Sequence, residues 1–504
     1  MFTFDAASRF AARSHRNAAD RAGARLPRGN SEIGTDLAGR GLMHESTSPV
    51  THVNATSAAD APLPSVSTTH DWTCPFCPLL CDDIEAHLSG AQTLAAPDTQ
   101  CARLAGALTR YDASDNVCSP GIDGCPVSLD IALDAAAAVL AQARRPLFGG
   151  CATDIAGARA LYALAAGCGA ILDSLHGDAL SASTLALQDR GAFFTTLSEV
   201  RSRADLLVVF SCEPAARHPR FYERIASGTS MQREIRFVCC DTDPAASQAS
   251  DARTASILAD ASPHDVLALW SAIAEGRKPE SLNDATGIAT ALASLMARIA
   301  EAHYTAFVIE PAALPHPHAA LLIEALHRIV KAINRTSRAG VLTLGGADGV
   351  LSVNQTITWL SGFPLRTRVS KPDRPPGTPP LDHDPYRYRT ERLLAAGEAD
   401  ALLWTASFDP HPPPSTLDAN TPLIVLGTPA LGSALAQQTR SAKTIFIPVA
   451  TPGIDSDGHL FRVDTSVVVP LHAARHVALP TVASIATHLA DALATRAAQT
   501  RSPA

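Results

Sequence analysis

The sequence predicts an α/β protein in which a small cysteine-bearing segment precedes two doubly wound lobes. Three observations predict it. Short apolar runs such as Ala-Asp-Leu-Leu-Val-Val-Phe at 204–210 recur between stretches of helical length, which marks strands buried on both faces under covering helices. Ala, Leu and Val carry the apolar load, and only 5% of the residues are aromatic against 46% hydrophobic; this suits helices packed on parallel sheets. Finally, 504 residues exceed one ordinary core and are enough for two or three domains.

Taken in order, residues 1–70 read as a disordered extension, rich in Arg, Ala, Ser, Thr and Gly with no persistent apolar face. Arg9, Arg13 and Arg16 could share one side of a short helix, as in a targeting peptide. Order is expected from Trp72, and a cysteine domain from 71 to 126. Alternation then begins: helix 131–143, a short strand 146–150 ending in Gly149-Gly150, helix 155–166, strand 170–173, strand 204–210, strand 234–240 and helix 263–274. It resumes with helix 288–302, strand 304–310, helix 319–333 and strand 341–344. A proline-rich loop runs from Phe363 to Pro385, followed by helix 388–396, strands 399–405, 422–426 and 443–447, and a last helix from Val482 to Ala494. This rhythm places a first Rossmann-like lobe at 127–280, a second at 281–475, and a terminal helix and tail at 476–504. Open sheets of this kind bind ligands beyond the carboxyl ends of their strands.

The bulk properties narrow the function classes. A net charge of −8, with basic residues scattered apart from an arginine-rich start, does not suggest a nucleic-acid binder. The longest apolar stretches fall short of the ~20 residues a bilayer requires, so no membrane span is expected. Without a contiguous apolar leader segment, the chain is expected in the cytoplasm, and its eleven cysteines as reduced thiols.

Cys74-Pro-Phe-Cys77-Pro-Leu-Leu-Cys81 is a C-x₂-C-x₃-C run, and Cys101 follows with nineteen residues between it and Cys81. Three clustered thiols and one remote thiol can surround a [4Fe-4S] cubane. The same four could hold zinc, although zinc ribbons usually pair two C-x₂-C knuckles. The other seven cysteines read as core residues.

Longer stretches carry a resemblance. Cys77-Pro-Leu-Leu-Cys81-Asp-Asp-Ile-Glu85, Thr196–Asp205 leading into Ser211–Arg220, Val353–Trp359 and Gly453–Asp464 resemble the B subunit of formylmethanofuran dehydrogenase, in the molybdopterin oxidoreductase superfamily, over roughly 70–470. The resemblance implies a cysteine-cluster segment, two Rossmann-like lobes, a [4Fe-4S] cluster and a pterin-bound Mo or W held by Cys or selenocysteine in a motif continuing His-Gly-Pro. This chain reads Ser174-Leu175-His176-Gly177-Asp178 there. Leu175 replaces the metal ligand, and an aliphatic side chain has no electron pair to donate; His176 remains without its neighbour. The glycine-rich stretch Leu344–Asp348 lacks the arginine that relatives use to orient an anionic substrate. No β-barrel follows the second lobe, so a partner would be needed to complete a pterin site.

These departures are most similar to the bacterial relative, the B subunit of the formyltransferase/hydrolase complex. The expectation is a scaffold in tetrahydromethanopterin- and methanofuran-linked one-carbon metabolism, with molybdopterin or tungstopterin absent, a possible [4Fe-4S] cluster, and the other subunits of the complex as partners. One alternative is an active Mo- or W-dependent formylmethanofuran dehydrogenase subunit (an oxidoreductase) that uses Ser174 or Asp178 as an oxygen ligand. Another is a nucleotide-binding protein with structural zinc, which the absence of G-x-G-x-x-G after any predicted strand disfavours. Arg220, in His218-Pro219-Arg220, could face a cofactor phosphate, and Asp241 could take a ribose or base edge; a surface contact and a loop cap are the plain readings. Asp382, His383 and Asp384 look like a metal set but sit in a loop that reads as a solvated interface.

Overall fold

In a computed structural model the described residues run from 66 to 501, apart from 91–92, 112–117, 250–252, 283–285 and 436–439. Most of the expected disordered extension lies outside them. Its end does not: Val66–Trp72 is a strand, so regular structure begins before Trp72.

Most helices begin and end where side-chain chemistry dictates. Asp154 accepts a bond from Gly157 N (2.9 Å) at the start of helix Ile155–Cys168, and Gly169 (φ 79°) closes it in the left-handed region. Thr196 and Glu199 form a capping box on helix Leu197–Arg203. Helices Pro263–Ala274 and Ala319–Ile333 match the sequence expectation to the residue. The last helix runs longer, Val482–Arg501. Helices Gly177–Arg190 and Val350–Ser361 were not anticipated.

Two parallel-rich sheets organise these elements. One has five parallel strands in the order Arg253–Ile257, Glu234–Val238, Leu206–Phe210, Thr305–Ile309, Ala339–Thr343. The other has nine. Its parallel centre runs Ile171–Leu172, Pro146–Ala152, Ala401–Ala406, Leu423–Gly427, Thr444–Pro448, with antiparallel edges. Both are doubly wound, as expected. Their composition differs from the sequential lobes expected at 127–280 and 281–475. After its first edge hairpin, the chain builds two central strands of the nine-stranded sheet, leaves to make the whole five-stranded sheet, then returns at Thr367–Val369 and Ala401–Ala406. Local patterning identifies a strand, but not which distant strand it pairs with. The proline-rich segment also differs from expectation: Thr367–Val369 and Leu381–His383 pair there, and Leu381–His383 forms the edge of the sheet.

The two faces of each sheet carry separate cores, as strand alternation requires. Leu206, Val208 and Phe210 pack with helices Pro263–Ala274, Ile288–Glu301 and Ala319–Ile333. Leu207 and Val209 face the other way and share a core with Trp72, Phe76, Leu79 and the four motif cysteines. The cysteine segment is therefore not an independent domain. It is built on a small antiparallel sheet, Val66–Trp72, Ile84–Ser89 and Thr93–Ala95, and packs against the five-stranded sheet. Among the described residues no helix is long and apolar enough to cross a membrane.

This topology fixes where a ligand can bind. Strand order reverses between Pro146–Ala152 and Ala401–Ala406 in one sheet, and between Leu206–Phe210 and Thr305–Ile309 in the other. At a reversal the loops leave in opposite directions and open a crevice beyond the strand ends.

Candidate functional site

Residues from both reversals line one cavity of about 780 Å³. From the five-stranded sheet come Glu310, immediately after Thr305–Ile309, and Arg217 and His218, shortly after Leu206–Phe210. From the nine-stranded sheet come Leu175 and His176, after Ile171–Leu172, and Asp409 and His411, after Ala401–Ala406. The turn from Gly345 to Asp348 forms another wall.

The motif cysteines lie in a neighbouring hollow. Cys74, Cys77, Cys81 and Cys101 are all buried and line it together. The loop closes through Cys74 N donating to Cys81 O (2.9 Å) and Leu80 N to Cys77 O (3.1 Å), while Cys101 opens helix Ala102–Leu108. Burial pushes the Cys77 thiol up to about 11 and the Cys81 thiol to about 12. Burial and the neighbouring thiols also raise Cys74. Nearby arginines oppose this, Arg103 at Cys77 and Arg220 and Arg224 at Cys81. Four thiols surrounded by guanidinium groups are suited to a cluster that binds thiolates and carries net negative charge.

Arg103 belongs to both spaces. Its Nε donates to Phe76 O (2.6 Å) inside the cysteine loop, and its Nη2 lies 3.6 Å from Asp348 Oδ1 at the large cavity. The Leu344–Asp348 stretch itself holds no arginine, but Arg103 and Arg217 bring guanidinium groups to the cavity from elsewhere in the chain.

Leu175 is on the cavity wall, next to His176. Its backbone N donates to Gly150 O (2.7 Å), and its side chain packs partly against the core that contains Leu147 and Trp404. The two alternative oxygen ligands are placed differently. Ser174 is buried and lines a separate small hollow rather than the large cavity. Asp178 lines the cavity, but its two oxygens accept from Arg366 Nη2 (2.7 Å) and Arg389 Nη2 (2.6 Å). Arg366 also contacts Asp173 (3.2 Å), which in turn accepts from Ser174 N, Thr390 N and Thr390 Oγ1. This network fixes the Ser174–Asp178 turn.

The remaining sequence candidates are not drawn into the cavity lining. Arg220 makes a bidentate pair with Asp83 (2.8 and 2.7 Å), also contacts Glu223, and sits beside the cysteine hollow. Asp241 is exposed after strand Glu234–Val238 and outside the cavity lining. His383 Nδ1 bonds Arg366 O (3.1 Å), Asp382 accepts from Tyr388 Oη, and Asp384 accepts from Tyr386 N and Arg387 N. These three hold their own loop.

The cavity is electrostatically mixed. Burial, with Arg103 and Arg217 adding, pushes His218 down to about 4. Burial raises Glu310, and Arg217 Nε at 3.3 Å only partly opposes it. Burial and nearby Asp348 raise Asp409, which pairs with Arg110. Sequence reasoning singled out His176 but missed Glu310, Asp409 and His411. Each of the three lies just beyond a buried strand, so the rule for carboxyl ends of strands was the available signal.

No protein-family model matches the chain. It is 28% identical over 379 residues to the B subunit of the formyltransferase/hydrolase complex Fhc of Methylorubrum extorquens, covering 74% of this chain and 97% of that protein. It is also 28% identical over 425 residues to the B subunit of the tungsten-containing formylmethanofuran dehydrogenase 2 of Methanocaldococcus jannaschii, covering 79% of this chain and 92% of that one. Its fold superposes on a chain in the crystal structure of the formyltransferase/hydrolase complex (FhcABCD) from Methylorubrum extorquens in complex with methylofuran. The TM-score is 0.62 at 25% identity, covering 75% of this chain and 100% of that one. In sequence and in fold, the chain resembles the B subunits of formylmethanofuran dehydrogenases and of the formyltransferase/hydrolase complex.

Proposed function

We propose that this chain is the B subunit of a formyltransferase/hydrolase-type complex in tetrahydromethanopterin-linked one-carbon metabolism, acting in the cytoplasm as a scaffold without its own Mo or W redox centre. The observation that carries this is Leu175. It stands on the wall of the shared cavity, where the related dehydrogenases are expected to present a thiolate or selenolate, and it offers no donor atom. A pterin-bound Mo or W does not fit this donor set. The neighbouring oxygens do not substitute for it, because Asp178 is held by two arginines and Ser174 faces another hollow.

The four motif cysteines fit a [4Fe-4S] cluster. They are buried, share one hollow, and are flanked by Arg103 and Arg220. The same four could hold zinc, but three clustered thiols and one remote thiol favour a cubane over the paired knuckles of a zinc ribbon. When bound, such a cluster would supply one-electron chemistry or rigidity. The protein contributes the thiolates and excludes water through Phe76, Leu79 and Leu104.

The retained cysteines and the large cavity favour a second reading, an active Mo- or W-dependent dehydrogenase subunit. The two are separated by purifying the tagged chain from its native host. Stable co-purification with transferase and hydrolase subunits, with no formyl-linked dye reduction, supports the scaffold. Dye reduction that disappears in Asp178→Ala overturns it.

A further inference from the structure

The structure assigns to His176, Asp348 and His411 a site for one first-row divalent cation on the wall of the large cavity. Their ligand atoms all lie within 4.8 Å of one another. They arrive from three distant segments: the turn before helix Gly177–Arg190, the turn before helix Val350–Ser361, and the loop after strand Ala401–Ala406. Chance proximity along one element does not explain the group.

The backbone is committed to holding these residues in place. His176 (φ 56°) and Asp348 (φ 57°) are both in the left-handed region, which side-chain-bearing residues seldom adopt. Gly349 follows at φ 74°, and a Cβ there would stand 2.1 Å from Thr153 O and 2.9 Å from the Phe408 ring. Only glycine lets the Asp348 turn approach that closely. His411 is steadied through its own carbonyl, which accepts from Trp404 Nε1 (2.8 Å).

Asp348 is the second, independent observation. The residue is 2% exposed, and its Oδ1 has no hydrogen-bond partner. Oδ2 is 3.2 Å from His411 Nε2, and Arg103 Nη2 is 3.6 Å from Oδ1, beyond hydrogen-bond range. Arg103 thus offsets the charge on Oδ1 without hydrogen-bonding it, and a cation held by the carboxylate and the imidazoles would give that buried oxygen the bond it lacks. The two imidazoles meet edge to face at 6.0 Å between ring centres, and a bound cation would take the place of the His411 Nε2–Asp348 Oδ2 contact.

Two imidazoles and one carboxylate suit Zn²⁺, Fe²⁺ or Co²⁺. Three protein ligands leave positions open toward the cavity, to be filled by water or by an anionic oxygen ligand that Arg217 could also contact. The donor set differs from the thiolate site of the related dehydrogenases. It does not depend on the scaffold reading or on the cysteine cluster.

Cobalt binding to the full chain, purified with whatever subunits accompany it and treated with chelator, tests this. One equivalent of Co²⁺ is expected, with visible d–d bands and no thiolate charge-transfer band. His176→Ala and His411→Gln, both at solvent-accessible positions that should fold normally, are expected to weaken binding by at least tenfold. Iron and the cluster absorbance should remain unchanged in both. Failure of the wild type to bind Co²⁺ overturns the assignment. So does Co²⁺ bound only with a thiolate signature, or affinity unchanged in both variants.

Discussion

At the residue scale, the neighbours of a side chain decide what it can do. Arg366 and Asp173 form a pair with both side chains under 5% exposed, and Asp178 extends it. Removing one partner leaves a buried charge uncompensated, which typically costs about 3–5 kcal/mol. Arg366→Met should therefore lower the unfolding free energy by an amount in that range, measured by chemical denaturation, and loosen the Ser174–Asp178 turn. On the proposal that the cysteine loop holds a [4Fe-4S] cluster, Cys77→Ser should remove the cluster's visible absorbance and most of the iron it binds. His327 is buried, and burial lowers it to about 4 from an ordinary 6.5. The unfolded chain thus takes up this proton first as pH falls. Its contribution is complete above 6.5 and is lost toward 4, at up to about 1.4 kcal/mol per pH unit. His327→Gln, which keeps an acceptor for Phe193 N, should flatten the fall in thermal midpoint between pH 6.5 and 4.5; an unchanged slope would contradict this.

At the element scale, legibility in the sequence tracked how local each signal was. The run Leu206–Phe210 is buried throughout and was readable as a strand, because a continuous apolar run has few alternatives. Helix Ala319–Ile333 was readable to the residue because its apolar stripe is continuous and one-sided. Helix Gly177–Arg190 was not: it buries only Gly177, Ala182 and Ala186, so no strong stripe marks it. The strands Thr367–Val369 and Leu381–His383 were hidden among prolines, and only their pairing with each other, and of Thr367–Val369 with Ile171–Leu172, makes them strands. Caps give a quantitative check. Asp154→Ala removes the acceptor that starts helix Ile155–Cys168 and should cost about 1 kcal/mol, read as a shift in unfolding midpoint at unchanged slope.

At the scale of the whole molecule, the unforeseen feature is the path of the chain between its sheets. Individual strands were legible, but the return of Ala401–Ala406 to pair with Pro146–Ala152 was not, since nothing local records so distant a partner. The same topology brings Leu175, Glu310, Asp348 and His411 to one cavity, so the site was legible only in pieces. The motif cysteines and Leu175 could be read in the sequence, whereas the convergence of His176 with Asp348 and His411 could not. A chain cut at residue 280 would lose Thr305–Ile309 and Ala339–Thr343 from one sheet and Ala401–Ala406 from the other. Such a fragment should be insoluble or rapidly proteolysed, and a stable soluble fragment would contradict the observed topology.

On the proposed scaffold reading, in which Leu175 offers no donor atom, the chain should hold a cysteine-bound cluster and no Mo or W centre. Elemental analysis of the natively purified complex for Fe, Mo and W, per mole of this chain, tests this most directly. About four Fe with neither Mo nor W is the predicted result. Stoichiometric Mo or W would contradict it and return the chain to the redox-active dehydrogenases it resembles.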